Sequence, residues 1–305
     1  MMFVPTVRVD EVYAAGETLN QIYFTSPQNG IVIGDNGVFL ITTDAGETWT
    51  PVPEAPDNVD YNSISFPTAT TGYVSGVGAV LRTTDGGEQW ELVYEGGSLI
   101  STSFPSEDIG YGASSYYVYK TEDGGENWDN IYSVSSCGIS QVKRIFFYDE
   151  NSGVLVSDSW SYVSKTTNSG NSWTYATEDP DVAYTKMQRS ANGISFWGAG
   201  NDTYYSGMYY TEDGAPILRF PTNGFQTENS SYIYAMNSRD GINFIAIGLA
   251  TCALSEDGGN TWKEVFDEGG HNFTMTDAAV MEKGRYAGIF EESIYLLTQD
   301  CPECE

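Results

Sequence analysis

Short apolar runs of two to four residues recur along the chain, each cut off by a polar, glycine-bearing turn. Val38-Phe39-Leu40-Ile41, Ala79-Val80-Leu81, Leu92-Val93 and Val265-Phe266 are examples. Runs this short, bounded by Gly, Asn, Asp and Ser, predict β-strands, and no stretch carries the longer period of an amphipathic helix. The turns repeat as well as the strands. Thr42–Trp49 reads TTDAGETW, Thr83–Trp90 TTDGGEQW, Thr121–Trp128 TEDGGENW, Thr166–Trp173 TTNSGNSW and Ser255–Trp262 SEDGGNTW. A worn copy, TEDGAPIL, covers Thr211–Leu218. The acidic position falls at Asp44, Asp85, Asp123, Asn168, Asp213 and Asp257, 38 to 45 residues apart. A fixed period near forty residues marks a repeat architecture in which each unit is one supersecondary motif.

The chemistry of the octet predicts a hairpin turn. The hydroxyl and the carboxylate can each bond nearby backbone N–H groups. The Gly four residues after the hydroxyl (Gly46, Gly87, Gly125, Gly170, Gly259) can take a positive φ. The Trp opens the outgoing strand and can bury its ring while its N–H finds a carbonyl.

The pattern S/T-x-D-x-G-x-x-W resembles the Asp-box repeat of β-propeller proteins, among them sialidases, sortilin-type receptors and the photosystem II assembly and stability factors. The resemblance covers nearly the whole chain. It implies an all-β propeller in which Asp44, Asp85, Asp123, Asn168, Asp213 and Asp257, with Trp49, Trp90, Trp128, Trp173 and Trp262, are structural and lie away from the binding face.

Counting repeats gives seven blades of four antiparallel strands in one domain, residues 1–305. The expected spans are about 21–53, 63–94, 100–132, 144–177, 184–220, 232–266 and 273–299. Within a blade the inner strand comes first (Ile64-Ser65-Phe66), then a Gly-Tyr-Val or Gly-Ile-Val strand, then a tight turn, then the strand leading into the octet. Phe3-Val4-Pro5-Thr6 parallels Trp49-Thr50-Pro51-Val52, and Thr298-Gln299-Asp300 looks like an octet cut short. The N-terminal strand is therefore expected to supply the outer strand of the last blade and remove its free edge.

Charge narrows the partners. The 305 residues hold 42 Asp and Glu against 13 Lys and Arg, a net charge of −29. Such a surface repels phosphate backbones and anionic lipid, so no nucleic-acid binding is expected. No apolar run is long enough for a membrane span, and Met1-Met2-Phe3-Val4-Pro5 lacks the basic and apolar regions of a signal peptide. The four cysteines, Cys137, Cys252, Cys301 and Cys304, are too few for a disulfide framework. Cys301-Pro302-Glu303-Cys304 stands as a local disulfide, half a zinc site or an inert tail. No metal or cofactor is expected.

The octets mark one end of the blades, so binding residues are sought on the opposite end, among the turns between second and third strands and the crossings between blades. Those turns are short in the first two blades, Gly34-Asp35-Asn36-Gly37 and Gly76-Val77-Gly78, and become aromatic and polar in the next three. There stand Tyr116 and Tyr117, then Asp158 and Trp160, then Asn201, Asp202, Tyr204 and Tyr205. Aromatic planes beside amide and carboxylate groups suit peptide side chains or a glycan; the alternative is packing between blades. Acidic crossings with Asp57, Asp60, Glu178, Asp179 and Asp181 lie toward the same end.

Catalysis is not expected. The single His271 argues against a Ser-His-Asp triad or a His-ligated metal. A sialidase-like glycosidase, the remaining enzyme reading, implies an arginine cluster; the nearest match to its opening Arg-Ile-Pro is Arg219-Phe220-Pro221, in mid-chain. The first expectation is a non-enzymatic scaffold or adhesion subunit bound to other proteins of a larger assembly, a virion or tail component among them. The second is a receptor-like module for a glycan or peptide.

Overall fold

The computed structural model describes residues 6–137, 141–157, 163–175, 183–189, 196–201, 206–211, 233–238, 240–248, 251–258, 261–264, 266–267 and 275–299. The described strands form seven sheets in chain order. The first is typical: Leu19–Phe24, Gly30–Gly34, Phe39–Thr42 and Thr50–Pro51 pair antiparallel, each with the next. The third (Ser101–Ser133), fourth (Val142–Tyr175) and sixth (Ile233–Glu264) sheets repeat that order. Three antiparallel strands, Ala183–Arg189, Phe196–Asn201 and Ser206–Thr211, are described in the fifth.

In the second sheet, Gly72–Thr83 is an unbroken run of strand residues that folds back at the expected turn, Gly76-Val77-Gly78, so that the Tyr73 hydroxyl and the Arg82 guanidinium both come against Gly124. The first part of the run pairs with Tyr61–Ser65 and the second with Glu91–Ser98. Gly78 takes φ 95° inside the register shift between Val77 and Ala79, so the chain bends while Val77 keeps pairing with Ser98. In the last sheet, Asp277–Glu282, Arg285–Phe290 and Ser293–Gln299 are joined by the N-terminal strand Thr6–Ala14, antiparallel to Ser293–Gln299. A fifth strand, Phe266–Asp267, then pairs parallel with Thr6 and Val7. Phe266 is expected to end the sixth blade; it instead covers the outer edge of its neighbour, whose N–H and C=O groups would otherwise be unpaired.

Each described octet is a clasp. The hydroxyls of Thr42, Thr83, Thr121 and Thr166 accept the N–H of Gly46, Gly87, Gly125 and Gly170 at 2.9–3.0 Å and donate to Asp44, Asp85, Asp123 and Asn168 at 2.8–3.0 Å. Those side chains accept the N–H of Thr48, Gln89, Asn127 and Ser172. Trp49, Trp90, Trp128 and Trp173 donate Nε1–H to the carbonyl of the same Gly at 2.9–3.0 Å. Asp257 repeats the carboxylate bonds with Ser255 and Thr261. The Gly has positive φ as expected, and so does the residue before it, even where that residue is Ala45 (φ 63°) or Ser169 (φ 59°).

In the first four sheets a phenylalanine at the end of the inner strand joins the clasp to the core. Phe24, Phe66, Phe104 and Phe147 meet Trp49, Trp90, Trp128 and Trp173 edge-on, centroids 5.8–6.2 Å apart. Their rings lie against Gly30, Gly72, Gly110 and Gly153, where an added Cβ would come within 2.3–2.7 Å. Neighbouring sheets use the same ring. Tyr73 stacks on Phe104 and Tyr111 on Phe147, each with centroids 3.5 Å apart, and each hydroxyl donates to a carbonyl of the next sheet, Glu107 and Glu150.

A second set of bonds links the inner strands. Asp277 accepts Ile22 N–H at 3.0 Å, Gln21 accepts that of Ile64 at 2.9 Å, Ser63 that of Thr102 at 3.1 Å and Ser101 that of Ile145 at 3.2 Å. A register shift recurs just before this position, between Leu19 and Gln21, Tyr61 and Ser63, Val142 and Arg144, Tyr184 and Lys186, and Ile233 and Ala235. The repeated bulge turns the strand so that its free N–H groups meet side chains of the preceding sheet.

Two outcomes are expected. Gly72→Ala forces a methyl into the Phe66 ring and should cost about 1–3 kcal/mol in urea unfolding; an unchanged midpoint would show that the ring can move away. Hydrogen bonds from Thr48 hold the Asp44 carboxyl below its ordinary value. Partial burial pushes Asp85 and Asp123 up, but hydrogen bonds, led by the Gln89 backbone and the Asn127 side chain, leave both lowered. A lowered folded-state pKa means stabilisation above the unfolded value, lost as pH falls through the folded one. Stability should therefore drop on acidification below about pH 4, and Asp85→Asn, which mimics Asn168, should reduce that pH dependence in thermal melts.

Candidate functional site

Antiparallel pairing puts the octets and the first-to-second-strand loops at one end of the sheets. The backbone ties them together. Ala45, Gly86, Gly124, Ser169 and Gly258 donate N–H to Gln28, Thr70, Asp108, Asn151 and Ile242 at 2.8–2.9 Å. This end spends its turn chemistry on itself.

The opposite end carries the second-to-third-strand turns and the crossings, tied by a different series. Gly37 N–H donates to Val59, Val77 to Asp60, Ile100 to Ala113, Val134 to Tyr116 and Val142 to Ser115, at 2.8–3.2 Å. The third sheet's turn is fixed further by Ser114 N–H on the Tyr117 carbonyl (2.9 Å) and Tyr117 N–H on Ser114 Oγ (3.2 Å). On this rigid backbone Tyr116 is 51% exposed and Tyr117 42%. Gln141 donates to the Tyr116 hydroxyl at 3.3 Å, and Tyr117 meets Tyr119 edge-on at 6.4 Å. Packing between sheets is the work of Tyr73 and Tyr111, both fully buried, and not of Tyr116 and Tyr117.

Asn201 ends the strand Phe196–Asn201 and pairs with Ser206, so the expected turn of the fifth sheet falls between them. Ser157 and Val163 likewise bracket the turn of the fourth. Asp158, Trp160, Asp202, Tyr204 and Tyr205 lie outside the described residues, as do Asp213, Glu178, Asp179, Asp181, His271, Cys301 and Cys304. Asp57 and Asp60 are exposed at this end, and Asp60 accepts Asn36 N–H. The sequence reading missed Val77, 45% exposed at the bend of the second sheet. Its only signal is a β-branched residue between two glycines.

On the inner strand of the fourth sheet a cation stands where the first three sheets place an acceptor. Arg144 holds the position filled by Gln21, Ser63 and Ser101, and a guanidinium cannot accept a bond. Surrounding protein lowers its pKa while the Asp277 carboxylate opposes that shift. Arg82 is ion-paired with Glu91 and Glu126 at 3.6 and 3.7 Å, and Arg285 with Glu282 at 3.5 Å. Among the described residues no group of three or more His, Cys, Asp or Glu is placed to hold a metal. Cys252 is fully buried, and burial pushes its thiol up to about 12, away from the reactive thiolate. No described helix is long and apolar enough to cross a membrane.

Comparison with known proteins gives the same architecture. A structure described as YCF48 bound to D1 peptide superposes with a TM-score of 0.71 at 18% identity, covering 97% of this chain and 99% of that one. A GH74 enzyme of Niastella koreensis gives 0.73 at 12% identity, over 94% of this chain and 53% of its own. At these identities the likeness is one of fold, that of a β-propeller. In sequence, the photosystem II stability/assembly factor HCF136 of Arabidopsis thaliana is 37% identical over 73 residues, 22% of this chain and 18% of that protein. The family described as photosynthesis system II assembly factor YCF48 matches residues 9–284. The chain therefore belongs to the YCF48 family of BNR-type β-propellers.

Proposed function

We propose that this protein is a non-catalytic, protein-binding propeller of the assembly-factor kind, which holds a polypeptide segment of a partner on the end opposite the octets. The observation that carries this is the pair Tyr116 and Tyr117, solvent-facing on a backbone fixed by four hydrogen bonds. Aromatic anchors that lose little freedom on binding are typical of contact residues. Asp158, Trp160, Asn201, Asp202, Tyr204 and Tyr205 would extend the surface over the next two sheets. The D1 peptide in the YCF48 structure supports a peptide ligand, and family membership favours assembly over the virion or adhesion role expected from charge and tyrosine content.

The scaffold in this reading is one domain, a closed ring of seven blades. The pairing of Thr6–Ala14 with Ser293–Gln299 and the bond from Ile22 to Asp277 support closure between first and last blades. Deleting residues 1–14 should then abolish cooperative unfolding in calorimetry; a truncated chain that melts like the intact one would refute the closed ring.

Binding is tested by cross-linking the intact protein in its source cells and comparing it with the Tyr116→Ala/Tyr117→Ala variant. The expected result is loss of one discrete cross-linked partner with the melting temperature unchanged within about 2 °C, as for surface substitutions. Retention of the same partner at wild-type yield would place binding elsewhere. A glycan-binding or glycosidase reading has only fold-level support, from the GH74 structures.

A further inference from the structure

The exposed apolar residues are not scattered. Among the described residues the large hydrophobic side chains left exposed are Val77, Tyr116, Tyr117 and Ile242. Ile242 lies at the octet end, where its carbonyl accepts Gly258 N–H. The other three sit at the opposite end, on the second and third sheets.

The segments around these three form one arc. From the first sheet's turn to the crossing before the fourth, they are tied in series through backbone: Gly37 to Val59, Val77 to Asp60, Ile100 to Ala113 and Val134 to Tyr116 by hydrogen bonds, and Val77 to Ser98 by strand pairing. Residues 34–38, 52–60, 76–78, 95–100, 114–117, 133–137 and 141, which make up the arc, contain Asp35, Glu54, Asp57, Asp60 and Glu95 and no Lys or Arg. Glu54, Asp57, Asp60 and Glu95 are exposed. Between these segments the chain carries Arg82 and Lys120, which pair with Glu91, Glu126 and Glu122; Lys143 and Arg144 follow just past the arc on the inner strand of the fourth sheet.

We infer that this arc is a docking surface for a basic partner segment, one that presents Lys or Arg beside an aliphatic or aromatic residue. The inference rests on the protein-binding reading above and adds the chemistry of the partner. An apolar side chain would cover Val77 and the faces of Tyr116 and Tyr117. A neighbouring ammonium or guanidinium would gain from those same rings and from the flanking carboxylates. The net charge of −29 draws a cationic segment in from a distance and repels an acidic one. The rigid turn means that little ordering is needed on the protein's side.

The probe is a fluorescein-labelled twelve-residue peptide alternating Lys with Leu and Phe, titrated into the full chain by anisotropy, against the same peptide with every Lys replaced by Glu. The Lys peptide should bind and weaken steeply between about 50 and 300 mM salt, over which the Debye length falls from roughly 14 to 6 Å; the Glu peptide should not bind. Tyr116→Ala/Tyr117→Ala should weaken binding at least about tenfold, the loss of one or two anchors. Asp57→Asn/Asp60→Asn/Glu95→Gln should weaken it and flatten the salt dependence. Glu47→Gln/Glu88→Gln, at the octet end, should change little.

Equal or tighter binding of the Glu peptide overturns the basic-partner inference, and so does binding that falls only with the octet-end variant. If neither peptide binds but Tyr116→Ala/Tyr117→Ala still loses its partner in the cell, the inference fails and the protein-binding reading stands. If that variant keeps its partner, the reading itself fails.

Discussion

The structure depends on a phenylalanine that three neighbours share. Phe24, Phe66, Phe104 and Phe147 each end an inner strand, each lie against a glycine that opens the next strand, and each take the edge of their own octet's tryptophan. Where the preceding sheet offers a tyrosine, as at Tyr73 and Tyr111, it stacks on the same ring. The ring thereby couples the clasp to the strand pairing and one sheet to the next. Burial of aromatic area supplies most of the drive, and the glycine makes the approach possible. The hydroxyl–carboxylate bonds of the octet only fix the turn so that the tryptophan arrives in place.

The repeat makes the two ends of the sheets unequal. At the octet end, the same backbone N–H in five octets is committed to the neighbouring loop, leaving little free to vary. At the other end, the ties run largely through backbone atoms of the turns and crossings and leave large side chains such as Tyr116, Tyr117 and Val77 facing water. The main chains beneath them are fixed. A scaffold of this kind can change its partner without disturbing its core, as loops on rigid frames generally do.

Much of this was legible in the sequence, because the octet names its own geometry. The hydroxyl, carboxylate, glycine and tryptophan each have one job in the turn, so strand order and the end of the sheet could be read from spacing. What could not be read are features set by tertiary contact. Ala45 and Ser169 adopt left-handed backbone against their own preference because the clasp on either side dictates it. Phe266 leaves its expected sheet because an unpaired edge lies within reach. The acceptor series Asp277, Gln21, Ser63 and Ser101 mixes carboxylate, amide and hydroxyl and shares only its place on the inner strand. The sequence singled out Tyr116 and Tyr117 but left open whether they pack or project, since a tyrosine serves either purpose; their exposure to solvent shows that they project.

The most direct measurement is hydrogen–deuterium exchange on the protein in complex with the partner isolated from its source. Binding at the end opposite the octets predicts slowed exchange in residues 76–78 and 114–117, with residues 42–49 and 83–90 unchanged. Slowed exchange confined to the octets and their loops would contradict the account.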